Sequence, residues 1–128
     1  MTLKIALIQT NSLVGNITTN FNLIVETVTA VRNRSDIDLI VFPELMLVGY
    51  PPEDLLFRRD FILTANNVLF ELANIAPEIG VVVGFPEFDG ENLYNSAVVL
   101  SEGSISAVYR KQKLPNYGVF DEMRYFTA

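Results

Sequence analysis

The 128-residue sequence predicts an α/β fold with a mixed sheet, and two observations support this prediction. Short apolar runs rich in Ile and Val alternate with two longer segments whose apolar residues recur every three or four positions. The last two apolar runs are joined by residues 101–104 (SEGS), a turn that is typical of a hairpin. The resulting order is βαβαβββ, in which the first two strands are parallel and the hairpin adds antiparallel strands.

The first part of the chain predicts a strand, a helix and a second strand. Residues 3–9 (LKIALIQ) read as a buried strand, and residues 11–16 form a turn-rich loop. A helix is predicted from Thr18 or Thr19, as N-cap, to about Arg34. Its buried side is expected at Phe21, Ile24, Val25, Val28 and Val31, with Asn20, Glu26 and Arg32 facing water. The second strand, residues 38–42, is expected to end at Pro43, which lacks the N–H that would extend it.

The remaining elements follow from similar signals. Two prolines predict an irregular, shaped loop at residues 49–54, and residues 55–60 predict a short helical turn. The second long helix is predicted at residues 61–76, with its buried side at Leu63, Val68, Leu69, Leu72 and Ile75. The third strand is predicted at residues 80–85 and is expected to close at Pro86. The hairpin strands are predicted at residues 94–100 and 105–109.

Charge and composition exclude several classes of function. The net charge of −6 and the pI of about 4.5 argue against a nucleic-acid partner, because phosphate binding requires a basic face. The sequence has no apolar run near the roughly 20 residues of a membrane helix and no signal-peptide pattern, so a cytoplasmic protein is expected. It contains neither cysteine nor histidine, which excludes disulfides, a cysteine nucleophile and most zinc chemistry within these residues, and no metal site is expected.

Two charged residues stand at the ends of predicted strands. Glu44 follows the second strand and Pro43, and Lys111 follows the last strand, which is also expected to be buried. If neighbouring strands bring both to one rim of the sheet, the pair combines a proton acceptor with an oxyanion stabiliser. Solvated surface side chains are the alternative reading for each residue taken alone.

The order of four motifs identifies a family. FPE at 42–44, GFPE at 84–87, YNSAVV at 94–99 and YRK at 109–111 resemble the nitrilase superfamily of carbon–nitrogen hydrolases, over essentially the whole chain. GYPPEDLL at 49–56 and residues 110–126 are similar to one branch of it, the glutaminase domains of bacterial glutamine-dependent NAD synthetases. The resemblance implies the N-terminal part of a nitrilase-type α/β/β/α sandwich.

The resemblance also implies residue roles. Glu44 matches the general base, and Lys111 matches the catalytic lysine that stabilises the tetrahedral oxyanion, whereas Lys113 is secondary. Tyr50 and Tyr117 match aromatic residues of the glutamine pocket. Two further residues are possible supports: Glu122 as a glutamate that orients the lysine, and Phe120 at the ammonia exit.

The implied parent enzyme hydrolyses glutamine to glutamate and ammonia and uses ammonia, ATP and Mg²⁺ to convert deamido-NAD to NAD. The family nucleophile is a cysteine, and the sequence has none, nor a Gly-rich phosphate loop. Residues 1–128 are therefore expected to be an N-terminal portion that is inactive alone and self-associates through an uncovered sheet face. A small-amide hydrolase that does not use ATP and a non-catalytic scaffold or interaction module remain open alternatives.

Overall fold

The computed structural model describes residues 1–34 and 36–128 and contains a five-stranded mixed sheet. The strands are β1 (Ile5–Leu7), β2 (Leu39–Val41), β3 (Gly80–Phe88), β4 (Leu93–Ser101) and β5 (Ser104–Arg110), and they lie in the sheet in sequence order. β1, β2 and β3 are parallel, whereas β3, β4 and β5 form an antiparallel meander. The predicted fold class, element order and parallel pairing are confirmed.

Two α-helices cover one face of this sheet. They are α1 (Ile17–Arg32) and α2 (Arg59–Leu72), and two short 3-10 helices occupy Glu53–Phe57 and Glu122–Arg124. A single hydrophobic cluster joins Ile24 of α1 and Leu69 of α2 to Ile40 and Val81 of the sheet. Neither α-helix in the described part of the chain has the length and apolarity that crossing a membrane demands.

The other face of the sheet carries apolar side chains that neither α-helix of the described residues covers. Side chains alternate between faces along a strand, and the register places Ile5, Leu7 and Tyr109 opposite the helical layer. Leu7 is 74% exposed and Tyr109 is 63% exposed. The prediction that β1 and the strand before Lys111 are buried is therefore wrong for these residues: both are edge strands, and every residue of β5 is exposed.

The prediction that α1 faces water at Asn20 is also wrong. Asn20 is completely buried, accepts from the N–H of Leu13 at 2.7 Å and donates to the carbonyls of Leu13 and Leu47. It thus ties the loop before α1 to the loop after β2, a use of a polar residue that helical periodicity does not reveal. The N-cap is Asn16, two or three positions earlier than predicted, and its side chain accepts from the N–H of Thr19.

The second helix also differs from its prediction in detail. It begins at Arg59 and buries Ile62 and Ala65, while Leu63 is 42% exposed because the buried stripe passes one position to its N-terminal side. The predicted irregular loop gives way to helical geometry at Glu53.

Pro86 does not end the third strand, contrary to the prediction. β3 continues to Phe88, and Pro86 lies opposite Asn95 of β4. The carbonyl of Asn95 accepts from the N–H of Lys111, so Asn95 directs its backbone groups toward the β5 side. The Pro86–Asn95 pair is therefore non-hydrogen-bonded, and the missing N–H costs no bond of this ladder.

Candidate active site

Glu44 projects from a turn whose other residues are buried. Phe42 continues β2 by donating its N–H to the carbonyl of Val82, and the chain then turns at Pro43. The four residues that follow Glu44 are apolar and fully buried: Leu45, Met46, Leu47 and Val48. The Glu44 side chain is 45% exposed, so burial of its neighbours presents this carboxylate at the end of β2.

Gly84 of β3 allows this turn to approach the sheet. A Cβ atom at Gly84 would lie 2.4 Å from the backbone N of Leu45 and 2.8 Å from the carbonyl O of Pro43. Distances under about 3 Å are below van der Waals contact, and backbone atoms cannot rotate away. The glycine of GFPE thereby fixes where the first FPE places its glutamate.

Lys111 reaches the Glu44 carboxylate from β5, the strand at the far edge of the sheet. Its N–H donates to the carbonyl of Asn95 at 2.8 Å, which continues the β4–β5 ladder past Arg110. Its Nζ lies 2.7 Å from Oε1 of Glu44, 67 positions away in sequence. Glu44 and Lys111 line one pocket of about 240 Å³ together with Asn95 and Tyr109.

Glu122 contacts the same ammonium from a buried position. It lies in the second 3-10 helix, is 6% exposed, and its Oε1 is 3.2 Å from Lys111 Nζ. The Tyr50 hydroxyl donates to the same Oε1 at 3.3 Å. Oε2 of Glu122 has no hydrogen-bond partner among the described residues, although it is also 3.2 Å from Nζ.

The local charges keep the two donors protonated. Partial burial alone would lower the pKa of Lys111, but its hydrogen bonds to Glu44 and Glu122 outweigh this effect, and its pKa is raised. Burial and the negative charges of Glu122 and Glu44 raise the pKa of Tyr50. Near neutral pH the site therefore holds an ammonium between two carboxyl groups and a protonated phenol.

Asn95 is a site residue that the sequence did not reveal. This β4 residue is 3% exposed, and its Nδ2 donates to Oε1 of Glu44 at 2.6 Å. The signal available in the sequence was a polar residue inside the apolar strand YNSAVVL, since buried amides need hydrogen-bond partners.

The neighbouring Arg110 holds the end of β5 from the opposite face of the sheet. Its Nε and Nη2 donate to the two carboxylate oxygens of Glu87 at 2.9 and 2.8 Å, and Ser96 Oγ donates to Glu87 at 2.7 Å. The guanidinium lies 3.8 Å from the centre of the Tyr94 ring. This bidentate pair bridges β3 and β5 next to Lys111.

Three of the predicted residues lie apart from the Glu44–Lys111 pair. Tyr117 is 71% exposed, and its ring centroid is 5.5 Å from that of Phe120. Phe120 lines a second cavity, of about 530 Å³, which it shares with Tyr50 and Glu122. Lys113 is exposed. Within residues 1–34 and 36–128, no cluster of three acidic side chains is placed to hold a metal ion.

A carboxylate that can accept a proton and an ammonium that can stabilise an oxyanion thus meet at the rim of an α/β sheet, with a second, buried carboxyl group beside the ammonium. The chain belongs to the carbon-nitrogen hydrolase family, whose model matches residues 4–128.

Its relatives include glutamine-dependent NAD synthetases. The enzyme of Xanthomonas campestris is 47% identical over 125 residues, which make up 98% of this chain and 23% of that protein. A solved structure of the Acinetobacter baumannii enzyme with ADP has a TM-score of 0.90 and 40% identity, and the match covers 98% of this chain and 24% of that one. An amidase from Nesterenkonia sp. is similar with a TM-score of 0.82 and 25% identity, covering 98% of this chain and 47% of that protein. The chain spans less than a quarter of the length of the two synthetases.

Proposed function

We propose that this chain supplies the general base and the oxyanion-stabilising lysine of a glutaminase site in a glutamine-dependent NAD synthetase. The observation that carries the proposal is the 2.7 Å contact between Glu44 Oε1 and Lys111 Nζ inside a pocket at the end of β2. The 47% identity to the X. campestris synthetase supports glutamine as the amide.

The reaction needs a nucleophile that the sequence lacks, and a cysteine thiol from elsewhere in a protein of the synthetases' length would provide it. Glu44 takes the thiol proton, and the sulfur attacks the carboxamide carbon of glutamine. Lys111 stabilises the negative charge that develops on the carbonyl oxygen. The C–N bond then breaks, the nitrogen leaves as ammonia with the proton from Glu44, and a thioester remains. Glu44 then takes a proton from water as the water oxygen attacks the thioester carbon, the C–S bond breaks to give glutamate, and Glu44 returns the proton to the sulfur.

The remaining predicted residues have supporting roles in this proposal. Glu122 holds the Lys111 ammonium from a buried position, which is consistent with its 3.2 Å contact and its burial. Tyr50 and Tyr117 border the glutamine pocket, and Phe120 lies at the ammonia exit. The hydrogen bond from Tyr50 to Glu122 supports the assignment of Tyr50 to the glutamine pocket.

Deamido-NAD, ATP and Mg²⁺ are assigned to a synthetase region outside residues 1–128. The sequence has no Gly-rich phosphate loop that would bind a nucleotide here. The A. baumannii relative was solved with ADP, and this chain matches 24% of it. We also propose a homo-oligomer, because the uncovered sheet face presents Leu7 and Tyr109 to solvent.

A chimera tests the proposal: residues 1–128 replace the matching segment of the X. campestris enzyme, and ammonia release from glutamine is measured. Removal of the base by Glu44→Gln lowers the rate about 10²- to 10⁴-fold. Removal of the oxyanion stabiliser by Lys111→Ala lowers it about 10²- to 10³-fold. Lys113→Ala is the matched control, since this exposed lysine lies two positions away, and it leaves the rate within twofold of the unmodified chimera. Full activity in Glu44→Gln contradicts the proposal.

Hydrolysis of another small amide is the second candidate, favoured by the fold similarity to the Nesterenkonia amidase. The two candidates differ in their substrate. Release of ammonia from acetamide or acrylamide by the chimera, at a rate matching that from glutamine, would favour the amidase.

A further inference from the structure

A buried amide next to the base has no role in the steps above. Asn95 lies in the middle strand of the antiparallel meander and is 3% exposed, and its Nδ2 is 2.6 Å from Glu44 Oε1. A carboxylate accepts hydrogen bonds only, so the amide must present its NH₂ group to it. Such charge-assisted bonds are short and strongly orienting.

The two donors that contact Glu44 meet at the same oxygen. Lys111 Nζ is 2.7 Å from Oε1, and Asn95 Nδ2 approaches Oε1 as well. All hydrogen bonds that the described residues donate to this carboxylate therefore end on Oε1. Oε2 receives no hydrogen bond from the described residues, so it is the oxygen better placed to receive a proton.

Asn95 also connects the base to the lysine through the backbone. Its carbonyl accepts from the N–H of Lys111 at 2.8 Å, while its side chain holds Glu44. One β4 residue thus sets the positions of two functional groups from two different loops. A glutamate exposed on the surface would lack this hydrogen bond from a buried amide.

From this geometry we infer that Asn95 is a positioning residue for the base: it anchors Oε1 of Glu44 and thereby leaves Oε2 as the atom that takes the thiol proton. The inference rests on the proposed glutaminase function. Because Asn95 acts through Glu44 and not on the substrate, its loss lowers kcat and leaves the KM for glutamine unchanged.

The test uses the chimera with two substitutions at Asn95 and one matched control. Asn95→Ala removes the donor, and Asn95→Asp replaces it with a second carboxylate that repels Glu44. Ser96→Ala is the control, since Ser96 is the next residue, is equally buried at 3% exposure, and donates to the carboxylate of Glu87 on the opposite face. We expect both Asn95 variants to lower kcat for ammonia release about 10- to 100-fold, a part of what a general base contributes. Ser96→Ala stays within twofold.

Two further readouts separate positioning from a general loss of structure. The alkylation rate of the chimera's cysteine by iodoacetamide reports proton removal from the thiol, and it falls in Asn95→Ala and Glu44→Gln but not in Ser96→Ala. When Asn95→Ala is added to Glu44→Gln, the residual rate falls by less than twofold, because the carboxylate that Asn95 anchors is already gone.

The possible results distinguish this inference from the proposed function. Loss of activity in Glu44→Gln with Asn95→Ala and Asn95→Asp both within twofold of the unmodified chimera overturns the inference alone. Full additivity of the Asn95 and Glu44 substitutions also overturns it. Retention of full activity by Glu44→Gln overturns the proposed function and the inference together.

Discussion

Gly84→Ala adds a single methyl group, and the packing of the Glu44 turn against β3 predicts that it lowers the free energy of unfolding strongly. The added methyl carbon would lie 2.4 Å from the backbone N of Leu45 and 2.9 Å from the backbone carbonyl carbon of Glu44. Overpacking a core typically costs about 1–3 kcal/mol, and contact with backbone on the turn side puts this site at the upper end, about 3 kcal/mol. To relieve the clash the turn must move away from β3, which also separates Glu44 from Lys111.

The measurement is the free energy of unfolding of the 128-residue chain in urea, at one fixed protein concentration. Gly80→Ala is the matched control on the same strand, because its Cβ would meet mainly the end of the Leu39 side chain, which can rotate away. We expect Gly80→Ala to cost less than about 1 kcal/mol. Equal free energies of unfolding for the two variants, or a Gly84→Ala protein as stable as the unmodified chain, would contradict this prediction.

Two other predictions follow from the ion pair at the end of β5 and from the uncovered sheet face. Hydrogen bonds from Arg110 are the main cause that holds the pKa of Glu87 below its ordinary value. The stability from this pair is therefore present above the unfolded value of about 4.3 and is lost as pH falls through the lower folded value, so Glu87→Gln should flatten the decrease of the urea midpoint below about pH 5. An unchanged slope would contradict this. For the sheet face, light scattering of the 14.3 kDa chain should give a mass above that of the monomer, and Leu7→Lys should lower it; a monomer for the unmodified chain would contradict the prediction.

Much of the fold could be predicted from the sequence because local patterns of apolar residues indicate where its helices and strands lie. Alternating apolar runs and helical periodicity determine the order of the elements, and the order predicts the parallel pairing of β1 and β2. The same patterns place Glu44 and Lys111 directly after two strands, and the two side chains meet because β2 and β5 end at one rim of the sheet, although β3 and β4 lie between these strands.

The missed features depend on tertiary partners. Asn20 looks like a solvent-facing helix residue until the carbonyls of Leu13 and Leu47 are placed beside it. Pro86 looks like a strand terminator until the β4–β5 register shows that Asn95 needs no N–H from it. The exposure of β5 depends on what lies against the sheet, which no local pattern contains. Asn95 is of this kind too, because its partner is 51 positions away.

The roles of Glu44 and Lys111 are tested by a ratio of two rates in the chimera: NAD formation driven by glutamine divided by NAD formation driven by free ammonia. Lys111→Ala and Glu44→Gln remove groups that act only on the amide, so we expect the ratio to fall at least about 100-fold while the ammonia-driven rate is kept. A ratio that stays at the level of the Lys113→Ala control would contradict the assignment of Glu44 and Lys111.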